Sequence, residues 1–98
     1  MRAANLEQVL AVLRQHRDEL RQLGVLKLGV FGSVARGEQR TDSDLDFLVE
    51  LDRKTFDRYM DLKLFLEDLF QTEVDLVPSD RLKPELKERV LAELVDAA

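Results

Sequence analysis

The sequence contains no cysteine, and its 98 residues include only 4 glycines, 2 prolines and a single histidine. Without cysteine the chain forms neither disulfides nor thiolate metal sites, and no redox compartment can be read from it. No apolar run approaches the roughly 20 residues that a membrane helix needs, and residues 1–20 carry charges throughout, unlike a signal peptide. We therefore expect a soluble, cytoplasmic protein that has no membrane partner.

Basic residues are also in the minority. The sequence has 15 lysines and arginines but 20 aspartates and glutamates, which gives a formal net charge of −5. Proteins that bind duplex nucleic acid usually cluster basic residues and have a high isoelectric point. The isoelectric point of this chain is near 4.9. We therefore expect no duplex nucleic acid among its partners.

The length predicts a single domain over residues 1–98, in which hydrophobic residues make up 45% of the sequence. A domain of this size buries only about 60–70% of the surface of its unfolded chain. Little area is left for an elaborate substrate pocket. A partner chain that completes the site, in a homo- or hetero-oligomer, is therefore an open alternative.

The spacing of apolar residues predicts alternating helices and strands. The predicted elements are a helix over residues 6–23, strands over 25–31, 45–51 and 73–77, and helices over 55–70 and 84–95. With a short helical turn in the loop after the first strand, the order is α-β-α-β-α-β-α. This order predicts an α/β (α+β) fold with a small mixed sheet of about three strands and flanking helices. The pattern does not decide the strand order or which pairs are parallel.

Three aspartates at alternate positions, Asp42, Asp44 and Asp46, lead into the second predicted strand. Residues i and i+2 of a strand face the same side, so Asp44 and Asp46 project together and repel unless a proton or cation lies between them. Mg²⁺ favours carboxylate oxygens and shares its coordination with phosphates. Asp75 reaches the same ions if the second and third strands are neighbours. Three carboxylates suit a two-metal site for phosphoryl or nucleotidyl transfer.

The segment that follows the first strand has the features of a phosphate-binding turn. Gly32 lets the backbone approach a ligand closely, and Ser33 opens a turn whose free N–H groups attract anions. A P-loop is excluded, because Glu38 and Gln39 stand where Lys and Ser/Thr are required. An EF-hand is also excluded, because Phe47 stands where that calcium loop needs its glycine.

Purely structural roles are the alternatives for several of these residues. The aspartates are also compatible with a solvated strand start, and Asp75 with a position on an edge strand that faces water. Arg36 is a candidate for phosphate contact and, nearly equally, for an ion pair with Asp42 or Glu38. Tyr59 falls on the apolar stripe of its helix, which favours a core position over a role as an acceptor of modification.

Taken together, these motifs resemble the minimal nucleotidyltransferases of the DNA polymerase β-like superfamily. Their signature is Gly-Ser, ten residues, and Asp-x-Asp. Here Gly32-Ser33 is followed by residues 34–43 and then by Asp44-Leu45-Asp46. The wider family pattern also matches, at Ala35, Arg36, Gly37, Asp42 and Ser43, and its third acidic residue at Asp75.

The resemblance implies a polymerase β-like fold and roles for the matched residues. Asp44 and Asp46 would bind Mg²⁺, and Asp75 would complete the catalytic and metal site, as the base toward the incoming hydroxyl. Gly32 and Ser33 would hold the β and γ phosphates of a nucleoside triphosphate. Members of this group commonly pair with a helical HEPN-type toxin, in some cases as an antitoxin that transfers AMP to a toxin tyrosine.

We therefore expect a Mg²⁺-dependent nucleotidyltransferase that uses ATP and modifies a partner protein as the antitoxin of a toxin–antitoxin pair. One alternative is transfer of a nucleotide to RNA or to a small molecule. The other is a non-catalytic antitoxin that neutralises its partner by binding alone.

Overall fold

Four helices and four strands make up the part of the chain described by the computed structural model, which covers residues 5–32, 34–37 and 45–97. In chain order they are α1 (Leu6–Gln15), α2 (Arg17–Gln22), β1 (Val25–Phe31), β2 (Leu45–Leu51), α3 (Phe56–Phe70), β3 (Val74–Pro78), a 3₁₀ turn (Ser79–Arg81), α4 (Pro84–Glu93) and β4 (Val95–Asp96). Within these ranges no helix is both long and apolar enough to cross a membrane.

The strands form one mixed sheet in the order β3-β2-β1-β4. β2 pairs antiparallel with β1 and parallel with β3, and β4 pairs antiparallel with β1. The predicted small mixed sheet with flanking helices is therefore confirmed, but it has four strands where about three were expected. That residues 1–98 form a single domain stays a prediction.

The fourth strand explains why the predicted last helix was too long. α4 ends at Glu93, Leu94 has extended backbone angles, and the next two residues pair with Gly29 and Val30. The Ala97 N–H also donates to the Leu28 carbonyl oxygen at 2.8 Å. Edge strands expose unpaired backbone groups, and this extended tail satisfies several of those on β1. The apolar spacing of the tail is compatible with a helix, so the spacing did not reveal the strand.

Two further predictions concern the N-terminal half of the chain. The single helix expected over residues 6–23 is broken at His16, whose ring Nδ1 lies 2.8 Å from the Val12 carbonyl oxygen. The helical turn expected after β1 is described at residues 34–37. It is one hydrogen-bonded turn, in which the Arg36 N–H donates to the Gly32 carbonyl oxygen at 3.1 Å.

The two faces of the sheet have different roles. Side chains alternate along a strand, and one face carries the buried strand residues of the main core, such as Val30, Phe47 and Leu76. Helices α1, α2 and α3 pack on this face, where the rings of Phe47 and Phe70 stack at a centroid distance of 6.0 Å. Asp46 lies next to Phe47 in sequence, and therefore projects from the opposite face.

Candidate functional site

Asp46 and Asp75 lie side by side on the face of the sheet opposite the main core. They are register partners in the parallel pair of β2 and β3, which places their Cα atoms about 4.8 Å apart and their side chains on one face. The sequence prediction needed these two strands to be neighbours, and they are. Asp46 is half-buried, whereas Asp75 is exposed, because β3 is an edge strand.

The predicted phosphate-binding turn after β1, called the glycine turn because it begins at Gly32, packs directly against Asp46. Phe31, the last residue of β1, is the register partner of Asp46, and Gly32 follows it with a φ of +79°. A Cβ atom placed on Gly32 would lie 2.9 Å from Asp46 Cγ and closer still to its Oδ2. Position 32 therefore has no room for a side chain. The phosphate turn and the carboxylates, which the sequence predicted as separate halves of a site, meet here.

Contacts with the core and with α4 fix the position of the turn. Val34 is 3% exposed and belongs to the core cluster, so it anchors the turn that Gly32 opens. The Arg36 guanidinium Nη1 donates to Glu93 Oε1 at 2.9 Å. This pair was not foreseen, because the partners predicted from the sequence, Asp42 and Glu38, were local ones, and both lie outside the described residues.

Two of the predicted site residues, Ser33 and Asp44, also lie outside the described residues. Among the residues that are described, no group of three acidic, histidine or cysteine side chains is arranged to hold a metal ion. Asp46 and Asp75 supply neighbouring carboxylate oxygens on one face, and this is the donor chemistry that hard divalent cations prefer. The described residues therefore fit a divalent metal as two members of the predicted ligand set.

A cavity of about 340 Å³ lies at the other end of β2 and β3. Its lining includes Leu51, Phe56, Tyr59, Pro78 and Arg81. Asp46 and Asp75 are near the first residues of their strands, whereas this cavity is formed at the last residues and the segments that follow them. The carboxylate pair is therefore outside this cavity, at the opposite end of the two strands.

Comparisons with known proteins bear on this arrangement. A family model described as a nucleotidyltransferase domain matches residues 13–97. The protein adenylyltransferase MntA of Thermococcus cleftensis is 39% identical over 97 residues, which cover 97% of this chain and 98% of that protein. Enzymes of this family generally use divalent metal ions.

Solved structures give the same fold. One described as a minimal nucleotidyltransferase has a TM-score of 0.80 and 41% identity, and covers 94% of this chain and 95% of its own. A chain from the complex of a tri-AMPylated Shewanella oneidensis HEPN toxin with an MNT antitoxin has a TM-score of 0.66 at 18% identity. That match covers 90% of this chain and 70% of the other.

Proposed function

The chain belongs to the nucleotidyltransferase domain family, and from this premise we propose that it transfers AMP from ATP to a HEPN-type partner protein. In this proposal it is the antitoxin of a toxin–antitoxin pair. The name of the Thermococcus relative supports a protein acceptor, and the AMPylated HEPN toxin in the Shewanella complex supports the donor and the partner. The proposed reaction takes place in the cytoplasm, where ATP is available as the donor.

The observation that carries the proposal is the packing of Gly32 against Asp46, with Asp75 as the next residue across the sheet. In the proposal Gly32, Ser33 and Arg36 bind the triphosphate. A turn of this kind offers backbone N–H groups to phosphate oxygens. The contact of Gly32 with Asp46 supports a position for those phosphates beside the carboxylates.

We assign Asp44, Asp46 and Asp75 as ligands of Mg²⁺, which when bound neutralises phosphate charge and brings nucleotide and acceptor together. The acceptor hydroxyl oxygen attacks the α-phosphorus of ATP, and the bond from that phosphorus to the oxygen bridging to the β-phosphate breaks. Pyrophosphate leaves with the electron pair of that bond, and the hydroxyl proton passes to the Asp75 carboxylate. Most of the rate gain comes from orientation and from preorganised charge.

The exposure of Asp75 favours a macromolecular acceptor. This residue lies on an edge strand and is open to solvent, so a side chain that projects from another protein can reach it. A hydroxyl on a folded partner needs such an open approach, whereas a small-molecule acceptor is usually enclosed in a pocket. The net charge of −5 also argues against a nucleic-acid acceptor.

Label transfer from α-³²P-ATP to the HEPN-type partner, in the presence of Mg²⁺, tests the proposal. We expect the wild-type chain to label the partner, whereas γ-³²P-ATP gives no label because the γ-phosphate leaves in pyrophosphate. Asp46→Asn and Asp75→Asn should each lower the rate at least about 100-fold. Glu50→Gln is the matched control, since Glu50 is on the same strand and face as Asp46 but about 13 Å along it.

Three results would count against the proposal. Label in RNA rather than protein would favour the nucleic-acid alternative. Full activity of both Asp variants would remove these residues from the site. If the Asp variants fold, lose labelling and still suppress the toxicity of the partner in cells, binding alone is sufficient for neutralisation.

A further inference from the structure

We propose that Glu93 is a positioning residue for nucleotide binding, which holds the Arg36 guanidinium in place on the face of the sheet that carries Asp46. The inference rests on the proposed function, because it assumes that Arg36 contacts the triphosphate. The contact that carries it is the charged hydrogen bond of 2.9 Å between Arg36 Nη1 and Glu93 Oε1. Such charge-assisted bonds are roughly twice as strong as neutral ones.

The end of α4 lies on the same face as the carboxylates. Leu94, next to Glu93, packs against Gly29 so closely that a Cβ atom on this glycine would be 2.5 Å from Leu94 Cδ1. Gly29 is two residues before Phe31, and Phe31 is the register partner of Asp46. Leu94, the residue that follows α4, is therefore about 6.5 Å along the strand from the row that contains Asp46.

The surroundings of Glu93 suit a residue that fixes another side chain. Its own side chain is 19% exposed, and a second cation, Arg89, approaches the same oxygen at 3.8 Å. Arg89 is one turn earlier on α4 and is 74% exposed, so it lies on the solvent-exposed side of the Glu93 carboxylate. Glu93 is thus the link between the helix and the glycine turn.

Arg36 is consequently held at both ends. Its backbone N–H donates to the Gly32 carbonyl oxygen, and its guanidinium is bound by Glu93. An arginine side chain has many rotamers, and ordering it at the moment of binding weakens affinity. A guanidinium has five N–H donors, so it binds a carboxylate and a phosphate at the same time. Prior ordering by Glu93 should therefore strengthen nucleotide binding.

A double-mutant cycle measures this effect. Isothermal titration of the whole protein with AMP-PNP and Mg²⁺ should show that Glu93→Gln raises the Kd about 2- to 10-fold, the cost of ordering one long side chain. In an Arg36→Gln background the same change should have no further effect, because the residue it positions is gone. In the labelling assay KM for ATP should rise by the same factor, with kcat within about 2-fold of wild type.

Arg89→Gln is the control, because it removes the other cation from the same carboxylate and should change the Kd less than about 2-fold. Glu93→Asp, whose carboxylate is one methylene shorter, should behave like Glu93→Gln. An equal loss of affinity in both Arg36 backgrounds would overturn the inference, since Glu93 would then act independently. Tighter binding by Glu93→Gln would also overturn it. If the wild-type chain binds no nucleotide, the proposed function itself is refuted.

Discussion

The contact between Gly32 and Asp46 predicts that one added methyl group at position 32 abolishes most of the activity. In Gly32→Ala the new Cβ would be 2.9 Å from Asp46 Cγ, whereas ordinary contacts begin at 3.4 Å, and the carboxylate oxygen is nearer still. The carboxylate must therefore retreat by a distance on the order of 1 Å. A displacement of this size in a catalytic group costs about 100-fold in rate.

The same substitution also strains the backbone, and this second effect must be separated from the first. Gly32 has a φ of +79°, a left-handed conformation that costs a residue with a Cβ about 1–2 kcal/mol. Gly37 is the natural control, since its φ is +75° and no heavy atom of residues 5–32, 34–37 or 45–97 lies within 4 Å of a Cβ added there. Gly37→Ala therefore carries a similar backbone cost without displacing Asp46.

Both variants are compared by thermal unfolding and by the labelling rate with α-³²P-ATP. Each kcal/mol lowers the Tm of a domain of this size by about 4–8 °C, so Gly37→Ala should lose stability but keep its kcat within about 2-fold, assayed well below its Tm. Gly32→Ala should lose at least as much stability and about 100-fold in kcat. Equal activity losses in the two variants, or a wild-type rate in Gly32→Ala, would refute the reasoning.

Two predictions concern the core rather than the site. Tyr59→Phe removes the 2.7 Å hydrogen bond from the Tyr59 hydroxyl to the Leu76 carbonyl oxygen. It should cost about 1 kcal/mol in urea unfolding and leave labelling unchanged, and a loss of labelling would contradict the structural role of Tyr59. Phe70→Ala empties a fully buried position next to Phe47. It should lower the free energy of unfolding by about 3–5 kcal/mol, and a loss below about 1 kcal/mol would show that the two rings do not form the core described here.

The proximity of the glycine turn to the aspartates illustrates how far local sequence can predict a site. Gly32 and Asp46 were singled out because each has a local chemical reason to bind a phosphate or a cation. Their contact depends on the antiparallel register of β1 and β2, which pairs Phe31 with Asp46. Asp75 was a conditional prediction, because its relevance required β3 to pair with β2.

The contact of Glu93 with Arg36 could not be predicted from the sequence. A glutamate near the end of an amphipathic helix has nothing that distinguishes it from other surface glutamates. Arg36 is 57 residues earlier in the chain, and the two meet because the end of α4 lies on the face of the sheet that carries the site, where Leu94 packs against Gly29. The candidate partners of Arg36 in the sequence were neighbours within a few residues, since local proximity was the only criterion available.

Three of the four strands and the approximate positions of the helices could be predicted from the sequence, although α1 and α2 were predicted as one helix and the last helix was predicted too long. The Gly-Ser and Asp-x-Asp spacing indicated the family. These features depend on the period of apolar residues and on the chemistry of neighbouring side chains, and both can be read along a contiguous segment. The strand order β3-β2-β1-β4, the parallel pairing that aligns Asp46 with Asp75, the fourth strand and the ion pair of Arg36 with Glu93 became visible only in the folded chain. The physical reason is that these contacts join residues far apart in the chain, and their free energy depends on packing between elements rather than on any one segment.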